Sequence, residues 1–93
     1  MLVQEFAILA SADTFEHAHV ARIERIAMNS PFAKVIVLDL SHAHDATTAA
    51  FADLILLRRR LLDEGRDLRL CGLHDRAAKV YQVNRLTEVL PLR

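Results

Sequence analysis

The sequence predicts an α/β fold: one small domain with a mainly parallel four-stranded sheet and about three helices, mostly on one face of that sheet. Short apolar runs of strand length alternate with longer stretches in which apolar residues recur at helical spacing. The predicted strands cover residues 2–10, 35–40, 68–71 and 88–90, and the predicted helices cover residues 14–28, 48–64 and 76–84. Because strand–helix–strand units join parallel neighbours through right-handed crossovers, we expect the strands to run parallel.

A capping box marks the predicted start of the first helix. Asp13 and Glu16 have the spacing at which each side chain can accept a hydrogen bond from the backbone N–H of the other. The apolar face that follows consists of Phe15, Val20, Ile23, Ile26 and Ala27. The helix should end near Pro31, because the residue before a proline is disfavoured in helical geometry.

A polar loop between a buried strand and the second helix is the most informative part of the chain. The run 35–40 is apolar on both faces, as in a central parallel strand. The loop 42–46 and the helix start at Thr47–Thr48 follow it, and Gly65 is suited to the position after the helix end. Loops that follow the carboxyl ends of parallel strands often hold small sites. Asp75 is expected to cap the third helix.

Composition limits the functions that the chain can have. Ninety-three residues allow one core, so we assign residues 1–93 to a single domain, which could be a fragment of a longer chain. Twelve basic and twelve acidic residues balance, which argues against broad electrostatic binding of nucleic acid. No apolar run approaches the ~20 residues that span a bilayer, so this segment should not insert into a membrane.

Cys71 is the only cysteine, so no intrachain disulfide can form. This fits a reducing compartment, and we expect a cytoplasmic location, including the cytosolic face of an inner-membrane protein. Cys71 lies in an apolar strand and is interpreted as a small core residue rather than a nucleophile.

An ordered set of short motifs resembles one family. The chain contains Val35-Ile-Val-Leu-Asp-Leu-Ser41, then Ala49-Ala-Phe-Ala-Asp-Leu54, Arg60-Leu-Leu-Asp-Glu-Gly65 and Leu68-Arg-Leu-Cys-Gly-Leu73, without a gap. This order and spacing resemble STAS domains, named for sulfate transporters and anti-sigma factor antagonists. The upstream Ile8-Leu-Ala-Ser-Ala-Asp-Thr-Phe15 is similar to the entry segment of sulfate-permease-type STAS domains.

The resemblance implies a non-catalytic regulatory module that contacts a protein partner. It favours the cytoplasmic C-terminal domain of a sulfate-permease-type anion transporter, whose membrane domain would be the partner. A stand-alone anti-sigma factor antagonist, with an anti-sigma factor as partner, is the alternative. A lipid-transport accessory subunit is a further one, because such STAS proteins tolerate a Thr-Ala pair like Thr48–Ala49.

Thr48 matches the phospho-acceptor position of the antagonists. The usual motif there is Asp-Ser-Ser/Thr-Gly, and this chain has Thr47 at the Asp, Ala49 at the second hydroxyl and Ala50 at the Gly. The loss of the acidic residue weakens the expectation of phosphorylation. Two interpretations stay open: either threonine could cap the second helix, or Thr48 could be a switch or contact residue.

The partner-contact candidates surround this loop. They are His42, His44, Asp45, Thr47, Thr48, Phe51 and His74. The His-x-His-Asp run also suggests a metal site, and the alternative built on His42, His44 and His74 is a small metalloenzyme or metal carrier. Zinc needs three or four converging ligands, and no spacing obliges these histidines to converge. We therefore predict no metal, no cofactor, no catalytic residue and no enzyme activity.

Overall fold

A computed structural model describes residues 4–93 as a small α/β domain with three helices. Residues 2 and 3 of the first predicted strand lie outside the described part. The elements follow in the order β1 (Glu5–Leu9), β2 (Thr14–Phe15), α1 (His17–Met28), β3 (Val35–Asp39), β4 (Asp45–Ala46), α2 (Thr48–Asp63), β5 (Asp67–Cys71) and α3 (Asp75–Val83). Strands β1, β3 and β5 form a parallel sheet in the order β1-β3-β5, and β2 pairs with β4 in a separate parallel sheet.

The three helices share a core with one face of the main sheet. The residues of that face that are in register are Phe6, Ile36 and Leu68, and then Ile8, Leu38 and Leu70. Apolar side chains of α1, α2 and α3, including Ile23, Leu54 and Tyr81, belong to the same cluster. The opposite face carries Ala7, Val37 and Arg69 in register, and Val37 there is only 2% exposed. The three helices and the parallel direction of the strands follow the prediction, but the main sheet has three strands and not four.

The prediction of a fourth strand at residues 88–90 is wrong. This segment forms a turn and a bend, and Leu92 instead makes an isolated parallel bridge to Leu70. Leu90 is fully buried, and its carbonyl oxygen accepts a hydrogen bond of 2.6 Å from the Tyr81 hydroxyl. The segment is apolar because it packs into the core, and Pro91, which lacks an N–H, separates it from the bridge.

The first helix begins at His17 rather than Thr14, so the predicted capping box at Asp13 is wrong. Thr14 and Phe15 pair with Asp45 and Ala46 as strands β2 and β4. Glu16 takes the N-cap position, and its N–H donates to Nδ1 of His19. Residues 14 and 15 form a strand instead of the first turn of α1 because the strand pairs their backbone groups with the loop after β3. A helix cap at Asp13 would not pair these backbone groups with that loop.

A buried arginine closes the other end of α1. Arg66 is 5% exposed, and its guanidinium donates to the carbonyl oxygens of Ala27, Ser30 and Ala33, each at 2.9 Å. These carbonyls lie at and beyond the last turn of α1, where backbone oxygens lack partners within the helix. Arg66 thus joins the end of α1 to the start of β5.

No helix among residues 4–93 is long and apolar enough to cross a bilayer.

Candidate functional site

The loop between β3 and α2, residues 42–48, is the centre of the candidate site and is called the 42–48 turn below. Its backbone is held by the segment before α1. The carbonyl oxygen of Asp13 accepts from the N–H groups of His44, at 2.9 Å, and Asp45, at 3.2 Å. The N–H of Thr47 donates to the carbonyl oxygen of Phe15 at 3.0 Å. The turn is therefore fixed at three points, which positions its side chains.

The side chains of this turn alternate between solvent and core. His42, His44 and Thr48 are exposed, and Asp45 and Thr47 are half-buried. Ala43 and Ala46 are buried and attach the turn to the core. The turn is thus open to solvent along one side, as a contact surface requires.

Phe51 is not part of that surface, which corrects its prediction as a contact residue. Its side chain is 1% exposed and lies against Tyr81 of α3, with ring centroids 6.0 Å apart. The helical spacing that places Phe51 one turn after Thr47 also directs it toward the sheet. Phe51 stabilises the helix that carries the turn.

The two threonines have different roles. Thr47 is the N-cap of α2, and its Oγ1 accepts a 3.1 Å hydrogen bond from the N–H of Ala50. Thr48 is the first residue of the helix and is exposed. The first turn of α2, which the structure describes in full, carries no acidic side chain. The Thr48 hydroxyl therefore lies at the positive end of the helix dipole without a neighbouring negative charge in that turn.

Two histidines and an aspartate converge beside this turn. Asp75 Oδ2 is 2.8 Å from His44 Nδ1 and 3.1 Å from His74 Nδ1. The two imidazole rings are 5.2 Å apart, nearly perpendicular to each other. One ligand atom from each residue lies within 4.8 Å of the others, and we call this group the His44–His74–Asp75 cluster. His42 is not part of it.

The charges in the cluster favour each other. The hydrogen bond with Asp75 raises the pKa of His44 above its ordinary value, and the same contact lowers the pKa of Asp75. Asp45, at the edge of the cluster, lies 3.4 Å from Nε of Arg76. The edge of the turn therefore combines imidazole, carboxylate and guanidinium groups around an open depression.

A glycine allows the end of β5 to approach the end of β3. Gly72 has φ of +74°, and a Cβ placed there would lie 2.7 Å from Asp39 Oδ1 and 2.8 Å from the Ser41 nitrogen. That carboxylate accepts from the Ser41 N–H at 2.8 Å, and this bond lowers the pKa of Asp39. Asp39 is thus a structural residue of the loop network. The close approach brings His74 beside the 42–48 turn.

Sequence reasoning missed the main contribution of Asp75. It was expected to cap α3, but it is the first residue of that helix, with φ of +50°, and its carboxylate joins two histidines. His74 was named as a contact candidate around this loop, and the structure places it beside the 42–48 turn. The adjacency of His74 and Asp75 directly after β5 was the available signal.

Cys71 is half-buried and lies outside the core, on the face of the sheet that carries Val37 and Arg69. Burial raises the pKa of its thiol. A thiol with a raised pKa is mostly protonated at neutral pH and is a poor nucleophile.

No model of a known protein family matches this chain, and no curated protein matches it. The relation to STAS domains is therefore a proposal that rests on the sequence motifs.

Proposed function

We propose that this chain is a non-catalytic regulatory module of STAS type that contacts a protein partner through the 42–48 turn. The observation that carries this proposal is that the hydroxyl groups of Thr47 and Thr48 have different roles. Thr47 uses its hydroxyl to cap α2, whereas Thr48 presents its hydroxyl to solvent. The cap does not depend on Thr48, so this position is free for recognition.

The contacts that hold the 42–48 turn in place support a docking role. The N–H groups of the turn donate three hydrogen bonds to the carbonyl oxygens of Asp13 and Phe15, and two buried alanines anchor it. A surface that is ordered before binding loses less conformational entropy when the partner arrives. His42 and His44 add exposed imidazoles, which are amphipathic groups suited to an interface.

We place this module in a sulfate-permease-type anion transporter, as its cytoplasmic C-terminal domain, because the segments Ile8–Phe15 and Leu40–His44 resemble those of that branch of STAS domains. The complete reading frame tests this placement. We expect a series of hydrophobic spans before this domain, each ~20 residues long. A complete frame without such spans would contradict the transporter placement while leaving the docking role open.

The exposed Thr48 hydroxyl also favours a second candidate, a stand-alone anti-sigma factor antagonist. A phosphate on Thr48 would add nearly two negative charges where the backbone N–H groups of the helix start favour them. Incubation with a kinase-type anti-sigma factor and ATP should then give one phosphate per chain. The Thr48→Ala variant should remain unmodified, and the Thr47→Ser variant, which keeps a capping hydroxyl, should be modified normally. Failure to modify the natural chain would exclude this candidate.

Site-specific photo-crosslinking tests the docking role directly. A photoreactive amino acid replaces Thr48 in one variant and Arg59, an exposed residue far along α2, in the control. In the native host, the Thr48 variant should give a discrete adduct that mass spectrometry assigns to one protein. Adducts of equal yield at both positions would contradict a docking surface at the turn.

A further inference from the structure

The geometry points to a binding site for a zinc-type divalent cation in the His44–His74–Asp75 cluster. The ligand atoms are His44 Nδ1, His74 Nδ1 and Asp75 Oδ2, with a fourth position open to solvent. This inference goes beyond the proposed docking function and does not depend on it.

Hydrogen-bond roles around His74 give the first argument. Its Nε2 lies 2.8 Å from the carbonyl oxygen of Ser41, which can only accept, so Nε2 carries the hydrogen. In the neutral ring, Nδ1 then presents a lone pair, and this lone pair faces Asp75 Oδ2 at 3.1 Å. A carboxylate oxygen is also an acceptor, so the contact is unfavourable without a positive charge. A proton on Nδ1, or a metal ion in its place between the two atoms, supplies that charge.

The spacing of the ligand atoms is the second argument. Zinc bonds of about 2.0–2.1 Å in tetrahedral geometry hold neighbouring ligand atoms about 3.3 Å apart. The observed separations from Asp75 Oδ2 are 2.8 Å to His44 and 3.1 Å to His74. These two separations are near the tetrahedral spacing, and all three ligand atoms lie within 4.8 Å of one another.

The outer contact of His74 matches that of a metal ligand. A histidine that binds a metal through one nitrogen usually directs the other toward a backbone carbonyl or a carboxylate. His74 Nε2 faces the Ser41 carbonyl, and His44 Nε2 lies 4.0 Å from Asp13 Oδ1. Two imidazoles favour zinc and similar borderline ions over calcium and magnesium, which prefer oxygen ligands.

Such an ion would join two loops that come from different strands. His44 belongs to the 42–48 turn, His74 belongs to the connection between β5 and α3, and Asp75 is the first residue of α3. An ion that binds the folded chain but not the unfolded chain stabilises the folded state by mass action. The melting temperature should therefore rise with the concentration of zinc.

Calorimetric titration of the full chain with zinc chloride, in a buffer that does not chelate metals, tests the inference. We expect one site per chain. The variants His74→Asn and Asp75→Asn should each weaken binding by about tenfold or more. The control variant His42→Asn removes an exposed histidine outside the cluster and should bind as the natural chain does, and Cys71→Ser controls for the thiol.

Cobalt(II) gives a second readout that does not depend on heats of binding. The natural chain should show visible absorption bands of a four-coordinate cobalt centre, and His74→Asn should lose them. Circular dichroism checks that each variant is folded; if His74→Asn is not, His44→Asn serves in its place. Absence of a saturable site in the natural chain, or equal weakening by His42→Asn, would overturn the assignment. Neither result bears on the photo-crosslinking at Thr48.

Discussion

Individual residues at the ends of β3 and β5 decide whether the candidate site can form. Gly72 lies where a side chain would collide with Asp39 and with the backbone of Ser41. Gly65 has the same φ of +74°, but a Cβ there would meet nothing within 4 Å. The two glycines therefore separate backbone strain from steric collision.

We expect Gly72→Ala to lower the free energy of unfolding by about 3 kcal/mol and Gly65→Ala by about 1 kcal/mol. The smaller value reflects only the left-handed backbone, and the larger one adds displacement of the Asp39 carboxylate. Urea denaturation of both variants measures the difference. Equal losses would show that the close approach at position 72 does not matter.

The two threonines of the 42–48 turn give a second comparison at the residue scale. Thr47→Ala removes the cap of α2 and should cost about 1 kcal/mol. Thr48→Ala removes an exposed hydroxyl and should change stability by less than about 0.5 kcal/mol. Thermal unfolding monitored by circular dichroism tests this order, and a larger loss in Thr48→Ala would contradict the assigned roles.

At the scale of elements, hydrogen bonds from charged side chains join helices to strands. Arg66 binds three carbonyl oxygens at the end of α1, and removing its guanidinium leaves them without these donors. We expect Arg66→Met to cost about 2–4 kcal/mol. Arg66→Lys should recover only part of this loss, because one ammonium cannot reproduce the planar fork of donors.

The exposed Arg59 of α2 provides the control for Arg66. Arg59→Met removes the same charge from the chain and should stay within about 0.5 kcal/mol of the natural protein. Chemical denaturation of the three variants gives the comparison. A cost in Arg59→Met as large as in Arg66→Met would attribute the effect to net charge instead of capping.

Asp67 joins β5 to α2 and should make stability depend on pH. Burial raises the pKa of its carboxyl, but hydrogen bonds from Arg58, the Leu68 N–H and Arg69 outweigh this effect and leave the pKa below its ordinary value. The stabilisation is therefore present above the unfolded pKa of about 3.9 and is lost as the pH falls through the folded value.

Asp67→Asn should accordingly destabilise the protein most near neutral pH. The difference in unfolding free energy between this variant and the natural chain should shrink as the pH falls below about 4. Urea denaturation at several pH values measures it. A difference that is the same at all pH values would mean that the charge of Asp67 contributes nothing.

Over the whole molecule, the sequence was sufficient where a pattern is local and long. The three strands of the main sheet are short, largely apolar runs and α2 has apolar residues at helical spacing, and these four elements were predicted within a few residues. The pair β2–β4 could not be predicted, because two-residue strands have no periodicity and pair segments about thirty residues apart. The apolar run 88–90 has the composition of a strand but is buried as a turn.

The candidate site was predictable only in part, for the same reason. His44 and His74 were both named as contact candidates around the loop, but the sequence did not show that their rings lie 5.2 Å apart. The direct contact with Asp75 depends on the tight passage at Gly72, which no local pattern specifies. Phe51 was misplaced because a residue near a helix start can face either the solvent or the core.

NMR shift mapping with the protein that crosslinks to Thr48 tests the central proposal most directly. A 10.5 kDa chain gives resolved amide signals, so each position reports separately. Adding unlabelled partner should shift or broaden the signals of residues 42–48 and leave those of residues 58–63 nearly unchanged. Replacing Thr48 by Glu should reduce these changes at the same partner concentration. Perturbations confined to other surfaces, with residues 42–48 unaffected, would contradict the proposal that this turn is the docking site.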